Sequence, residues 1–166
     1  MTETPLGTVA RWVSLLFSGL FAGFLVAVLV LEMSLRGEDR HVYTQVRHVE
    51  LDSLDKLATA TLLPALIATA FLVAVTFKTR ERAFRLRSTG LALLLLIVAV
   101  TVVVNMPINA DQLDWDVRQP PSDWASVRDQ WQIAHAIRTG AAVIAFATLI
   151  AASTRTARGT REPARA

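Results

Sequence analysis

Long apolar windows alternate with short charged stretches along this chain. Four windows contain no charged residue, and they span positions 12–31, 57–77, 88–110 and 139–154. A helix needs about 20 mainly apolar residues to cross the hydrocarbon core of a bilayer, and its backbone must be hydrogen-bonded internally there. The pattern therefore predicts four membrane-spanning helices, over about 10–34, 55–77, 88–108 and 131–154.

These windows predict one all-α membrane domain, a four-helix bundle over residues 1–154, followed by a basic tail over 155–166. The first window is longer than the apolar region of a usual signal peptide, and no small-x-small cleavage pattern follows it. We expect it to be retained as the first helix. The chain is 53% hydrophobic and has no cysteine, so a soluble globule, disulfides and thiolate metal sites are excluded.

Lysine and arginine are distributed unevenly between the polar stretches. The stretch 78–87 has five basic residues against one acid, and the tail has four against one. The stretches 32–56 and 109–131 instead have an acidic excess, six to four and five to two. The positive-inside rule therefore predicts a multi-pass protein of the cell membrane with both termini in the cytoplasm. The basic residues flank membrane windows, so we expect lipid and not nucleic acid as a partner.

Polar residues inside the windows are the candidates for function. Arg138 lies one to two turns inside the fourth helix, and His135 and Trp131 share its face. On the third helix Thr101, Asn105 and Asn109 repeat every four residues, and Glu32 ends the first window. With the predicted topology, four of these side chains lie within roughly 10 Å of the external boundary, given about 1.5 Å of rise per residue. They are Glu32, Asn105, His135 and Arg138. A polar pocket is expected there, covered by 109–131 and with Trp124 near it.

Three interpretations of this convergence stay open. A ligand or catalytic pocket is the first. A structural Glu32–Arg138 ion pair that only joins helices is the second. The third is that Arg138 reaches the membrane interface while Glu32 is solvated.

Two further patterns concern the stretch 32–56 and the first helix. His41, Gln45, His48, Asp52 and Asp55 recur at helical spacing, so helix two begins near residue 41 or a short surface helix lies there. His48 and Asp52, with Glu32 or His135, form only a weak candidate metal site, and we expect neither metal nor cofactor. Gly19 and Gly23 favour close helix packing, within the bundle or in a homo-oligomer.

The last two helices resemble a known family. The similarity lies in an N-x-P-x-N element within Thr101–Asn109 and a W-x3-H-x2-R element from Trp131 to Arg138, with Trp115, Pro121, Asp123, Trp124 and Arg128 between them. Together these resemble the anthrone oxygenases, a family of small four-span membrane proteins. The Gly19–Gly23 segment agrees more loosely.

This resemblance implies oxidation of hydrophobic, polyketide-like aromatic substrates by O₂ without a cofactor. His135 would then be the base, Arg138 and Asn105 the stabilisers of an oxyanion, and Trp131 a stacking wall. Glu32, Thr101, Asn109 and Trp124 would contribute to substrate binding. The alternative is a non-enzymatic membrane protein that binds a lipid, a small hydrophobic ligand or a partner subunit.

The predicted topology can be tested by cysteine labelling, since the chain has no native cysteine. Cysteines introduced as Ala83→Cys and Thr160→Cys should react only with reagent applied to the cytoplasmic side. Pro120→Cys should react only from outside. Labelling of position 83 from outside would overturn the orientation.

Overall fold

A computed structural model describes the backbone of residues 4–78 and 82–159, and the side chains of residues 4–78 and 82–154. All of the regular structure in this part of the chain is helical. The helices are α1 (Pro5–Ser34), α2 (Arg40–Thr76), α3 (Arg82–Val100), α4 (Met106–Leu113) and α5 (Trp124–Gly159). A 3-10 turn, Leu35–Gly37, connects α1 to α2, and a π-helical turn, Thr101–Asn105, joins α3 directly to α4.

Four helical segments are long and apolar enough to cross a membrane, which confirms the all-α, four-span prediction. Their bounds are Pro5–Gly37, Arg40–Thr76, Arg82–Leu113 and Trp124–Thr154. The predicted boundaries were too narrow at several ends. Helix α2 begins at Arg40, as the spacing in 32–56 suggested, and α5 begins at Trp124 and continues to Gly159, into the predicted tail. The rest of that tail, 160–166, lies outside the described residues.

Two of these helices begin at an N-cap that the sequence provides. The Thr4 hydroxyl accepts a hydrogen bond from the Gly7 amide, and Pro5 occupies the first turn, where its missing N–H is harmless. The Asp39 carboxylate accepts from the amides of His41 and Val42 at 2.7 and 3.1 Å. The bonds from Val42 and His41 lower the pKa of Asp39. This cap explains why α2 begins so far ahead of its apolar window.

The bundle is a ring in which α1 lies between α2 and α5, and α3 lies between α5 and α2. Its centre is built from a few large side chains set against alanines, which let the helices approach closely. The buried cluster consists of Phe21, Ala22, Leu25, Ala65, Leu94, Ile97, Ala141, Ala142 and Ala145. The Ser14 and Thr69 hydroxyls are 2.8 Å apart and join the first half of α1 to the last part of α2.

The two prolines inside the apolar windows behave differently. Helix α2 continues through Pro64 without interruption. Pro107 follows the π turn, in which the Met106 N–H donates to the Thr101 carbonyl five residues earlier. Because Pro107 has no N–H to continue the regular ladder, a widened turn just before it relieves the conflict. The third span is therefore interrupted by this π turn and continues as α4.

Gly19 and Gly23 lie in different surroundings. A Cβ built on Gly19 would lie 3.0 Å from the Phe146 ring of α5, whereas one on Gly23 would meet nothing within 4 Å. Gly19 thus serves packing inside the bundle, the first of the two predicted uses. Gly23 is exposed on the outer face of α1. A homo-oligomer through this segment stays a prediction that rests on Gly23.

The two glycines provide a matched test of this packing. Gly19→Val should lower the free energy of unfolding by about 1–3 kcal/mol, because the new side chain overpacks the contact with Phe146. Gly23→Val should leave it nearly unchanged, since its side chain would enter open space. Reversible unfolding in detergent micelles measures both. Equal losses in the two variants would contradict this account of Gly19.

Candidate functional site

A cavity of about 210 Å³ opens between the helices at the end of the bundle that carries α4. One wall is apolar and comes from α1 and α2. It contains Phe21, Phe24, Leu25, Val28, Leu51, Leu54, Ala58 and Leu62. The remaining lining is largely polar or aromatic: Arg47, Glu50, Asp55, Thr59, Thr101, Met106, Asn109, Trp131, His135 and Arg138. Asp55, Thr59 and Met106 are exposed and mark the mouth.

Three side chains of α5 lie next to one another along the cavity. The rings of Trp131 and His135 are parallel, with centroids 4.8 Å apart and planes 7° apart. The Arg138 guanidinium carbon lies 5.8 Å from the Trp131 ring centroid. Trp131 and His135 are almost fully buried, whereas Arg138 is half-buried. The W-x3-H-x2-R spacing therefore places all three groups on the helix face that lines the cavity, as predicted.

The hydrogen bonds of His135 define its tautomer. Its Nε2 lies 3.0 Å from the Leu25 carbonyl oxygen, which can only accept, so Nε2 carries the proton. Its Nδ1 lies 2.8 Å from Arg138 Nη2, which can only donate, so Nδ1 is the acceptor. Both ring nitrogens are thus engaged, and the imidazole is neutral in this arrangement. His135 holds the guanidinium of Arg138 in place.

Arg138 retains a donor after these contacts. Its Nη1 donates to the Thr101 hydroxyl at 3.0 Å, and its Nη2 donates to His135. Its Nε is buried and has no partner among the described residues. An unpaired buried donor of a charged group is costly, so this N–H is the part of Arg138 that is free to bind a ligand.

The stripe Thr101, Asn105 and Asn109 lies against α5, as its spacing predicted. The Asn109 Oδ1 accepts from the Trp131 indole N–H at 2.6 Å. The Asn105 Nδ2 donates a long bond, 3.4 Å, to the Trp131 carbonyl oxygen, and its Oδ1 has no partner among the described residues. Thr101 and Asn109 line the cavity, whereas Asn105 is fully buried beside it.

Arg47 of α2 is the centre of the buried polar network, although sequence analysis gave it no role. It is 2% exposed, and its guanidinium carbon lies 4.2 Å above the Trp131 ring centroid. Its N–H groups donate to Glu32 Oε1 at 3.0 Å, Glu50 Oε2 at 2.6 Å, Asn109 Oδ1 at 3.1 Å and Gln112 Oε1 at 2.9 Å. One side chain thus connects α1, α2, α4 and α5.

Glu32 is the ion-pair partner of Arg47, and the expected Glu32–Arg138 pair is not formed. Its Oε1 accepts from Arg47, and its Oε2 accepts from Gln132 Nε2 at 2.9 Å. Glu32 is completely buried and lies outside the cavity lining. Both of its carboxylate oxygens are engaged by neighbouring helices, and its contact with substrate stays a prediction.

A second buried cluster is joined to Arg47 through Gln112, and it holds α4 and the following loop in place. Gln112 accepts from Arg47 and donates to the Tyr43 hydroxyl at 3.2 Å. Leu35, Tyr43 and Trp115 form an apolar cluster against which Trp124 packs, with the Tyr43 and Trp124 rings 5.5 Å apart. Trp124 thus packs on this cluster and does not line the cavity, and its role in substrate binding stays a prediction.

The candidate metal residues are engaged in other contacts. His48 Nε2 lies 3.0 Å from the Gln112 carbonyl oxygen, and Glu32 binds Arg47. Asp52 is exposed on the outer face of α2. Within residues 4–78 and 82–159, no group of three or more histidine, aspartate or glutamate side chains is arranged to hold a metal ion.

The residues that sequence analysis missed lie on the buried face of the first part of α2. The polar stripe it identified there, His41 to Asp55, is mostly exposed. The buried face instead carries Tyr43, Thr44, Arg47, Glu50 and Leu51. The available signal was the spacing of three between Arg47 and Glu50 and of four between Tyr43 and Arg47, together with an aspartate N-cap before them.

Removal of Arg47 should be strongly destabilising. Arg47→Met leaves two buried carboxylates, Glu32 and Glu50, without their cation, so we expect a loss of about 3–5 kcal/mol in the free energy of unfolding. Arg36→Met is the matched control, because the Arg36–Asp129 pair is about half exposed and such pairs contribute roughly 0–1 kcal/mol. Unfolding in mixed micelles measures both. Similar losses would refute the central position of Arg47.

Comparison with known proteins gives a family for this chain. A family model described as anthrone oxygenase matches residues 55–148, and this range includes the Thr101–Asn109 stripe and the Trp131–Arg138 face. Comparison with curated proteins and with solved structures found no match. The family match covers more than half of the chain. With its four membrane-spanning helices, this protein is therefore a membrane protein of the anthrone oxygenase family.

Proposed function

We propose that this protein oxidises a hydrophobic aromatic substrate with O₂, at the cavity lined by Arg138 and Trp131. The observation that carries the proposal is a cation whose buried Nε–H is unpaired, beside an aromatic ring, in a cavity with one apolar wall. Such a site suits a planar aromatic molecule that develops negative charge on an oxygen atom. The family membership supports the same class of reaction.

The reaction is balanced with O₂ as the oxidant. A base removes one proton from the substrate's methylene group, and the electron pair remains in an anion spread over the phenolic rings. The anion passes one electron to O₂, and the resulting radical pair joins to form a C–O bond and a peroxide, which takes up a proton. Loss of the second methylene proton and cleavage of the O–O bond leave a carbonyl group, and the departing hydroxide becomes water.

Arg138 is proposed to stabilise the oxyanion of the delocalised intermediate. Its Nη atoms are held by Thr101 and His135, so its Nε is oriented before substrate arrives. A donor fixed in advance in a site of low dielectric constant stabilises developing charge without reorganisation. Asn105 is proposed to act indirectly. Its amide donates to the Trp131 carbonyl oxygen and so helps to hold the α5 residues that line the cavity.

His135 is proposed as a positioning residue, in place of the base that the resemblance implied. Its Nδ1 lone pair already accepts from Arg138. To take a proton there, His135 would have to release Arg138 and become a cation beside another cation. Trp131 lines the cavity with its ring covered by His135 and Arg47, and it is proposed as an aromatic wall whose edge contacts the substrate's rings.

The size and place of the cavity support a hydrophobic substrate. At about 210 Å³ it is larger than the roughly 150 Å³ apolar cavities that bind benzene. Its mouth lies at Asp55, Thr59 and Met106, along helices that are apolar enough to lie in lipid. We propose that the substrate enters from the cell membrane, into which such compounds partition.

A binding protein without chemistry is the second candidate. The observation that favours it is that most polar groups here satisfy one another, as Glu32, Arg47 and Gln112 do. In that case the cavity would hold a small hydrophobic ligand and return it unchanged. The two candidates differ in whether O₂ is consumed.

The test measures O₂ consumption by membranes that contain the protein, with anthrone as the substrate. Arg138→Ala should lower turnover by about 10²–10³-fold, the usual effect of losing one oxyanion donor. His135→Ala should lower it less, and the double variant should be no worse than Arg138→Ala, because His135 acts through Arg138. Arg118→Ala, at an exposed arginine, is the control.

Protein amount and unfolding midpoint must be measured for each variant, since Arg138 also joins α5 to the π turn. A folded Arg138→Ala protein with unchanged turnover would reject the oxyanion role. No acceleration by the wild type, with anthrone bound, would favour the binding protein.

A further inference from the structure

Glu50 is a buried carboxylate in the cavity wall that the proposed mechanism does not yet use. It is 5% exposed and faces the cavity from α2, across from the α5 residues. It lies ahead of residues 55–148, the range that matches the family model. Its place in the site follows from the packing of α2 in this chain.

The two oxygens of Glu50 differ in their surroundings. Oε2 accepts a short hydrogen bond, 2.6 Å, from Arg47. Oε1 is buried and has no partner among the described residues. A buried carboxylate oxygen without a donor costs free energy, and a ligand that brings a hydrogen to it recovers that cost. The atom is an unused acceptor in a site where substrate would lie.

The local charges favour proton uptake at the same atom. Arg47 Nη1 donates to both Glu32 and Glu50, so one positive charge is shared between two carboxylates. Glu32 has both oxygens engaged, the second by Gln132. The surplus negative charge therefore has one open acceptor, Oε1 of Glu50.

The other candidate acceptors at the cavity are less suitable. The only acceptor nitrogen of His135 is occupied by Arg138. Asp55 also lines the cavity, but its side chain is exposed at the mouth and is not held in the wall. Glu50 alone combines burial, contact with the cavity and a free oxygen among the described carboxylates.

We propose that Glu50 is the proton acceptor for the substrate. The proposal rests on the function proposed above. The substrate's bond to hydrogen breaks, its electron pair stays on the substrate, and the proton forms a new bond with Oε1 of Glu50. The resulting anion lies between Glu50, now neutral, and the guanidinium of Arg138. The same carboxylate returns the proton to the peroxide.

The experiment separates proton transfer from oxidation by excluding O₂. Anthrone is mixed anaerobically with the protein in nanodiscs, and formation of the coloured anthrolate anion is followed by absorbance. The wild type should form the bound anion. Glu50→Gln, which keeps the shape and leaves Glu32 to pair with Arg47, should slow this step by at least about 10²-fold, while quenching of tryptophan fluorescence shows unchanged binding of neutral anthrone.

Two further variants show that the loss is specific to this carboxylate. Asp52→Asn makes the same change of charge two residues away, on the exposed face of α2, and should leave anion formation unchanged. Glu50→Asp should recover part of the rate, because a carboxylate returns to the wall. The unfolding midpoint of each variant is measured alongside, and a folded Glu50→Gln protein is required for the comparison.

The outcomes distinguish this proposal from the proposed oxidation. Anion formation in Glu50→Gln at the wild-type rate, or none in the wild type, overturns the role of Glu50. Loss of anion formation in Asp55→Asn but not in Glu50→Gln assigns the role to Asp55 and also overturns it. If the wild type forms the anion and Glu50→Gln does not, the role of Glu50 is supported, even if O₂ is then not consumed and the oxidation is rejected.

Discussion

The pairing of Arg47 with Glu32 and Glu50 is the constraint on which the rest of this structure depends. A charged side chain is expensive to bury inside a protein, and here three of them are almost completely buried together. They are retained because each charge has a partner on another turn or another helix. The partners fix the positions of α1 and α2 relative to each other, and Gln112 adds α4 to the same centre.

The cavity follows from this arrangement. Trp131 packs under Arg47 and parallel to His135, and its indole N–H is held by Asn109. The aromatic wall is therefore fixed on several sides before any ligand binds. The lining that α1 and α2 contribute is mostly apolar, with Glu50 among it. A rigid polar and aromatic face and a mostly apolar face are suited to orient a flat molecule while accepting variation at its edge.

The sequence predicted the number and type of helices because the apolar windows are long and free of charge. It also predicted that the α5 face and the Thr101–Asn109 stripe lie at the site, because polar residues at helical spacing inside lipid must face the bundle. It failed at Arg47 and Glu50. Their charges were assigned to an external loop, since a charged residue outside an apolar window is usually solvated. Only the tertiary packing of Tyr43, Gln112 and Trp131 around them shows that they are buried. For the same reason the sequence suggested Arg138 as a partner of Glu32, whereas Glu32 pairs with Arg47.

The π turn at Thr101–Asn105 makes the length of this segment as important as its composition. Each residue of a helix rotates the side chains that follow by about 100°. The turn accommodates one residue more than a regular helix would over the same rise. A deletion of one residue inside the turn would therefore leave a regular helix with the same register after it, whereas an insertion or deletion between the turn and Asn109 would rotate Asn109 and Gln112 away from Arg47. Related chains that preserve this site should vary in length at the turn more readily than between residues 106 and 112.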